Sequence, residues 1–418
     1  MSSRSSSEEN VKATSTNLKK RAPEESESDN DEDDKKKSIK WKYLEHHCFY
    51  FPEQWKTHGV PVLYKGQKFK LNPFQEEICT YWAQSLGTDW ETKDYYKNNF
   101  RQCFMETLED NAKKWSDFDF GLIVKHLDEQ REEKKNLTSE QKKLKKEEKD
   151  LRDAFFTTAM IDNFTEKLSG YTIEAPTLFK GRGDHPRAGF LKTRIVPEDV
   201  IVNIAEDAPV PKCSSMPGHC WKDIVHDENV TWLASYKDDT IKKDNIKYLF
   251  LAANSKFKGD SDLKKYEKAR LLKGLAPKIR DAYMSLLSEK SRFDRQIGTA
   301  TYLIDKLALR VGNEKSEEEA DTVGTCSLRV EHLIIHEDTM SITLNFLGKD
   351  SMRYENTVEV IEKVYNNLKS FVKDKAQEDN LFEQINAARL NEYLHTLMEG
   401  LTGKVFRTFN ASDTLQEQ

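Results

Sequence analysis

Six cysteines are scattered through the 418 residues (Cys48, Cys79, Cys103, Cys213, Cys220 and Cys326), and no two of them form a C-x-x-C pair. This spacing excludes a zinc ribbon or finger and argues against the disulfide framework of a secreted domain, so a reducing compartment is expected. No apolar run reaches the roughly 20 residues that a spanning helix requires, and the N-terminus has no apolar signal core. There is no phosphate loop of the order G-x-x-x-x-G-K-[ST], and no Rossmann fingerprint follows a strand-like run. The clustered carboxylates of a two-metal nuclease are also missing from any obvious motif. The expectation is a soluble intracellular protein with no membrane contact, no metal and no small-molecule cofactor.

A strong excess of either charge is absent too. The chain sets 66 Lys+Arg against 72 Asp+Glu, a formal net charge of −6, which alone suggests no polyanionic partner. The distribution says more. From Lys242 to Arg280 twelve basic residues face four acidic ones, and from Lys180 to Arg194 five face one, interleaved with glycines. Local patches set the field that a polyanion meets, whatever the total. A solvated helix face would carry the same charges.

Residues 1–38 are rich in Ser, Glu, Asp and Lys and poor in apolar side chains, so they read as a disordered charged tail. Lys19–Arg21 and Lys35–Lys37 resemble short nuclear import runs. Aromatic-dense sequence begins at "KWKYLEHHCFYFPEQW", and residues 39–248 mix short strand-like and helical pieces. The stretch from Asp128 to Asp153 is almost wholly charged, with Leu137, Leu144 and Leu151 at heptad spacing and a capping box in "TSEQ". It predicts a projecting helix whose three leucines are too few for a coiled coil. From about residue 262 apolar residues recur with the helical period. "SITLNFL", "GKD" and "SMRYENTVEV" then predict a β-hairpin, with helices again after Ile361. The fold class is α+β: a tail, an N-terminal region to 248, and a mainly helical region at 249–418 with an inserted hairpin.

Three cations stand in unusual settings. Arg310 closes the strongly apolar helical run "TATYLIDKLAL" and must meet an anion, either a ligand or one of Glu314, Glu317 and Glu318. Arg407 lies between Phe406 and Phe409, where carbonyls would also satisfy it. Lys349 occupies the turn of the hairpin, a common place for an exposed lysine. Taken together, two guanidinium forks and one ammonium suit a phosphate whose oxygens gain charge while a leaving oxygen is protonated. The Gly-rich basic loop "FKGRGDHPRAG", with Lys180, Arg182 and Arg187, reads equally as a phosphate-approaching loop or a plain surface turn.

The blocks "IKWKYLEHH", "LFKGRGDHP", "PEDVIVNIA", "HDENVTWLAS", "YLIDKLALRVGNEK", "ADTVGTCSLRVEH", "FLGKDSMRYEN" and "LMEGLTGKVFRTFNAS" resemble, in family order, eukaryotic DNA topoisomerase I of type IB. The resemblance implies a two-lobed clamp around duplex DNA that nicks one strand through a 3′-phosphotyrosine, allows rotation and reseals. It needs no ATP or metal, and it works in the nucleus. It also implies that Arg310 and Arg407 bind the scissile phosphate and that Lys349 is the general acid for the 5′-oxygen. The DNA contacts it implies are Lys134, Arg182, Trp232, Lys247, Tyr248, Lys265, Arg310, Val311, Gly312, Asn313, Glu314, Lys315, Thr322, Asp350, Thr402, Gly403 and Lys404. Lys134 matches only by the pattern of its charged helix. The segment after "GNEK" is one residue shorter than the family's, and "TFNAS" replaces a Tyr-containing version.

The family's histidine block, linker helices and tyrosine-bearing domain are expected beyond Gln418. Tyr354, five residues from Lys349, is a poor substitute nucleophile because the hairpin would hold it away from in-line attack. The alternatives are an enzyme read in part, the large subunit of a split topoisomerase whose partner chain carries the tyrosine, and a non-catalytic DNA-binding clamp. A tyrosine recombinase uses similar chemistry, but residues 39–250 resemble the topoisomerase clamp.

Overall fold

The computed structural model describes residues 39–108 and 113–417. The segment read as a tail at 1–38, with both basic runs, lies outside the described residues. Those described form an α+β protein of helices and small sheets around three apolar clusters.

The aromatic opening buries Trp41, Leu44, Phe49 and Phe51 around strand β1 (Leu44–His46). A Lys65-Gly66 turn joins β2 (Val62–Tyr64) to β3 (Gln67–Phe69), both turn residues lying at positive φ as a tight hairpin demands. Asn72 and Gln75 form the capping box of α1 (Pro73–Ala83). Helix α2 (Asp94–Glu106) turns Tyr96, Phe100 and Phe104 inward, and Phe100 stacks on Trp82 at 4.7 Å. Strand β4 (Phe118–Asp119) completes a sheet in the order β3-β2-β4.

The charged stretch expected as one projecting helix is a pair. α3 (Gly121–Lys135) stops at Asn136, and α4 (Ser139–Phe156) starts on the Thr138 box, whose hydroxyl accepts the Gln141 N–H at 3.2 Å. A side chain that caps the second helix cannot sit inside a continuous one, which is why the pattern breaks there. Only Ile123, Leu127 and Phe156 of the pair are buried. Leu144 and Leu151 are 59% and 75% exposed, so the heptad leucines form no seam.

β5 (Thr158–Ile161) pairs with β1 and with β6 (Phe164–Lys167). β7 (Val200–Asn203), β8 (Asp223–Val225), β9 (Ala234–Lys237) and β10 (Ile246–Leu249) build a sheet in the order β10-β9-β7-β8. It is antiparallel except where β7 meets β8.

The C-terminal region starts its helices earlier than the expected residue 262. Ser255 caps the long α5 (Lys256–Leu286), accepting the Lys258 N–H at 3.1 Å. α6 (Arg292–Leu307) follows, buried along Gln296–Asp305. The hairpin is β12 (Ser341–Leu347) with β13 (Arg353–Glu359), Phe346 opposite Tyr354. A strand not expected from the sequence, β11 (Leu333–His336), pairs with the other edge of β12. α7 (Glu362–Val372), α8 (Ala387–Leu397) and α9 (Gly403–Glu417) close the core, which runs from Ala269 to Phe409.

Candidate phosphate-binding site

The site grows from the end of α6. Ala308 adopts a left-handed conformation, φ 51° and ψ 33°, and stops the helix. A residue with a β-carbon pays about 1–2 kcal/mol for that geometry. The result is that Leu309–Gly312 leaves the helix and runs against Gly324–Cys326. The Arg310 carbonyl accepts both the N–H and the hydroxyl of Thr325 at 2.8 and 3.0 Å, and Val311 O accepts from Cys326 N at 2.6 Å. The two backbones touch at glycines: a β-carbon on Gly312, itself at φ 84°, would lie 2.6 Å from the α-carbon of Gly324. Half-buried Arg310 thus projects from a main chain held on both sides.

α9 brings the second arginine. A β-carbon on Gly403 would meet Val311 Cγ2 at 2.3 Å, so the first turn of α9 packs directly on the Arg310 strand. One turn further, Arg407 Nε donates to the Ala308 carbonyl at 3.1 Å, and Asn410 Nδ2 donates to the Asp305 carbonyl at 2.6 Å. The reading of Arg407 as satisfied by carbonyls is therefore right for one donor, and the same bond is what couples it to the Arg310 segment.

Lys349 is exposed in a single turn at the hairpin end, where Asp350 and Ser351 take positive φ of 65° and 57°. The turn end of the hairpin is tied to the segment that backs Arg310, because Val323 N donates to Leu347 O, two residues before Lys349, at 2.9 Å. Tyr354 stacks on Phe346 at 5.0 Å along the strand.

The Gly-rich loop meets the hairpin. Arg182 pairs with Asp350, and Ser351 Oγ donates to the Arg182 carbonyl at 3.3 Å. Arg187 reaches Glu318 at 3.6 Å, and Lys242 reaches Glu319 at 3.9 Å. Glu318, one of the carboxylates considered for Arg310, is thus engaged by Arg187. His185 is buried in the loop, its Nδ1 accepting the Arg187 N–H at 3.1 Å, and burial lowers its pKa.

The other residues expected to touch DNA are distributed unevenly. Val311, Gly312, Gly403 and, half-buried beside them, Thr402 and Lys404 belong to the arginine site, while Asn313, Glu314 and Lys315 are exposed just beyond it. Thr322 is half-buried next to Val323. Lys247 is engaged by Asp238 at 2.9 Å and Glu174 at 3.3 Å. Burial opposes its charge, but the Asp238 bond prevails and its pKa rises. Trp232 and Tyr248 lie with ring centres 5.9 Å apart, and Phe250 continues the row at 5.7 Å. Lys265 sits over the Tyr266 ring at 5.3 Å on α5. Lys134 is exposed in the last turn of α3, which packs on a different apolar cluster from the arginines. Among the described residues no group of His, Cys, Asp and Glu is placed to hold a metal ion, and no helix is long and apolar enough to cross a membrane.

Residues 39–251 match the DNA-binding fragment of eukaryotic DNA topoisomerase I, and residues 254–418 match its catalytic core. The chain belongs to the eukaryotic DNA topoisomerase I family. It is 44% identical over 378 residues to DNA topoisomerase 1 beta of Arabidopsis thaliana, covering 90% of this chain and 41% of that relative. It is 43% identical over 391 residues to DNA topoisomerase 1 of Homo sapiens, covering 91% and 51%. Against the mitochondrial DNA topoisomerase I of Rattus norvegicus it is 42% identical over 394 residues, covering 92% and 66%. The chain spans about half the length of the first two relatives. Arg310, Lys349 and Arg407 fall in the topoisomerase I catalytic-core match, and Arg182, Trp232, Lys247 and Tyr248 in the DNA-binding-fragment match. The sequence did not single out Asp305, Ala308 and Asn410, which join α9 to the end of α6, or Phe250 of the aromatic row. For Phe250 a signal existed, its i, i+2 spacing from Tyr248, although it stands one residue past the end of β10.

Proposed function

We propose that the chain grips duplex DNA and supplies the phosphate-binding half of a type IB topoisomerase site. The observation that carries this reading is the bond from Arg407 to the Ala308 carbonyl, two residues before Arg310. It couples two guanidinium groups that lie 97 positions apart in the family's catalytic-core segment. In this reading a tyrosine attacks the phosphorus in line, Arg310 and Arg407 stabilise the charge on the pentacoordinate phosphorus, and Lys349 protonates the leaving 5′-oxygen. The nucleophile comes from a tyrosine outside the hairpin, whether carried further along the same protein or on a separate chain. Residues 39–248 and 249–418 act as the two lobes, and the ion pairs of Arg182 and Arg187 with the hairpin end and Glu318 close them around the duplex. Relaxation of supercoils proceeds by nicking and religation without ATP or a metal, in the nucleus.

The test is relaxation of a supercoiled plasmid with and without an added tyrosine-bearing segment. Relaxation that requires the segment and is lost in Arg310→Ala and Arg407→Ala supports the reading. Duplex binding with no relaxation under any supply of the tyrosine would favour a non-catalytic clamp. Binding itself should weaken steeply with salt, as phosphate-dominated contacts do.

A further inference from the structure

The arginine pair rests on a polar brace that spans three helices. The Asp305 carboxylate, 3% exposed, accepts two bonds from Arg280, Nε at 2.8 Å and the terminal nitrogen at 3.1 Å, and a third from the Tyr283 hydroxyl at 2.7 Å. Both donors are on α5. A buried carboxylate needs such partners, and their geometry fixes its place more firmly than apolar packing does. From the other side, Asn410 and Arg407 project from one face of α9, three residues apart, onto the Asp305 and Ala308 carbonyls. These are last-turn carbonyls, and the helix ends before it can satisfy them internally. A cationic side chain is also favoured at that end of a helix. α9 therefore caps α6, and the cap includes the Arg407 guanidinium.

We propose that Asn410 and the Arg280–Asp305–Tyr283 cluster are positioning residues for the phosphate site: they set the rotation of α9 against the end of α6 and so fix the Arg407 guanidinium relative to Arg310. Asn410 holds one carbonyl and Arg407 the other, so losing the first lets α9 turn about the second. A displacement of about 1 Å at a reacting group costs on the order of 100-fold, and a loosened rather than displaced group should lose about tenfold. The inference rests on the reading of Arg310 and Arg407 as phosphate ligands.

The experiment measures binding of this chain to two nicked duplexes, one ending in a 3′-phosphate at the nick and one in a 3′-hydroxyl. The ratio of the two affinities isolates the phosphate site from general backbone contacts. Wild type should prefer the phosphate duplex and Arg407→Ala should not. Asn410→Ala should lower the preference about tenfold and Tyr283→Phe about threefold, with 3′-hydroxyl affinity unchanged in both. Tyr283→Phe removes one buried hydroxyl, so it keeps the test decisive if Asn410→Ala folds poorly. If wild type shows no preference, the phosphate-ligand reading fails and the inference with it. If wild type prefers phosphate and both variants keep that preference, or lose affinity for both duplexes equally, the cluster is structural only and the positioning role is wrong.

Discussion

Closure of the proposed clamp depends on contacts whose strength follows from their exposure. Among the contacts of the described residues between the Gly-rich side and the hairpin side are three ion pairs: Arg182 with Asp350, Arg187 with Glu318 at 3.6 Å and Lys242 with Glu319 at 3.9 Å. The Arg182 and Asp350 side chains are 70% and 45% exposed, so solvent screens them heavily. Exposed pairs are worth roughly 0.2–1 kcal/mol each, so three hold the lobes with about 1–2 kcal/mol. That favours the closed form by about 5–30-fold. Glu318→Lys turns one attraction into a repulsion and should cost about 1 kcal/mol, shifting the ratio several-fold. The assay compares retention on a covalently closed circle with retention on the same DNA linearised, where a closed ring can slide off an end. Wild type should stay longer on the circle at low salt and lose that advantage as salt rises and screening shortens. Glu318→Lys should shorten retention on the circle alone, and Arg187→Glu added to Glu318→Lys should restore it. Equal dissociation of wild type from circle and line would refute clamp closure through these pairs. An equal loss on both DNAs in Glu318→Lys would mean that its charge acts on the phosphates instead.

Lys349→Ala, tested with the tyrosine supplied, should slow strand cleavage by roughly 100-fold or more while duplex affinity changes little; equal losses in both would remove the general-acid role. Ala308→Gly should raise stability by up to about 1 kcal/mol, because glycine relieves the left-handed strain, read as a higher denaturation midpoint. Gly312→Ala should destabilise by more than 2 kcal/mol, roughly the cost of overpacking plus positive-φ strain, and should lower phosphate affinity with it. Burial pushes Glu383 up, but Arg292 at 2.5 Å and Lys375 at 2.5 Å prevail and hold its carboxyl down to about 2. A depressed carboxylate stabilises the fold above its unfolded pKa and loses that contribution as pH falls towards 2. Glu383→Gln should cost about 1–2 kcal/mol at pH 7 after allowing for screening and flatten the stability profile between pH 5 and 2; an unchanged acid limb would refute it.

Local signals survived translation into structure well. Alternation around "GKD" located the hairpin, whose strands are Ser341–Leu347 and Arg353–Glu359. "TSEQ" marked a real helix start, although it was read inside one helix instead of as the break between two. What stayed hidden is non-local or contrary to propensity. Alanine carries no turn signal, so nothing in "KLALRVG" announces a left-handed residue before Arg310. The bonds of Asp305 to Arg280 and Asn410 span 25 and 105 positions, and many other polar residues were equally eligible by pattern. The same holds for Arg187 and Glu318, since Glu314, Glu317 and Glu318 all suited Arg310 by spacing.

The helix pair α3–α4 has one more consequence. Of the 18 residues of α4 only Phe156, at its far end, is buried. A helix of that length reaches about 27 Å, and beyond its base it is held by its own backbone bonds and by exposed side-chain contacts such as Lys143 with Glu147 at 3.7 Å. Its melting therefore leaves the apolar clusters of the molecule almost untouched, and it should open and be cut as a unit long before they do. Within residues 113–417 a brief tryptic digest should score the lysines between Lys134 and Lys149 first and leave two fragments that remain associated, still bound to DNA.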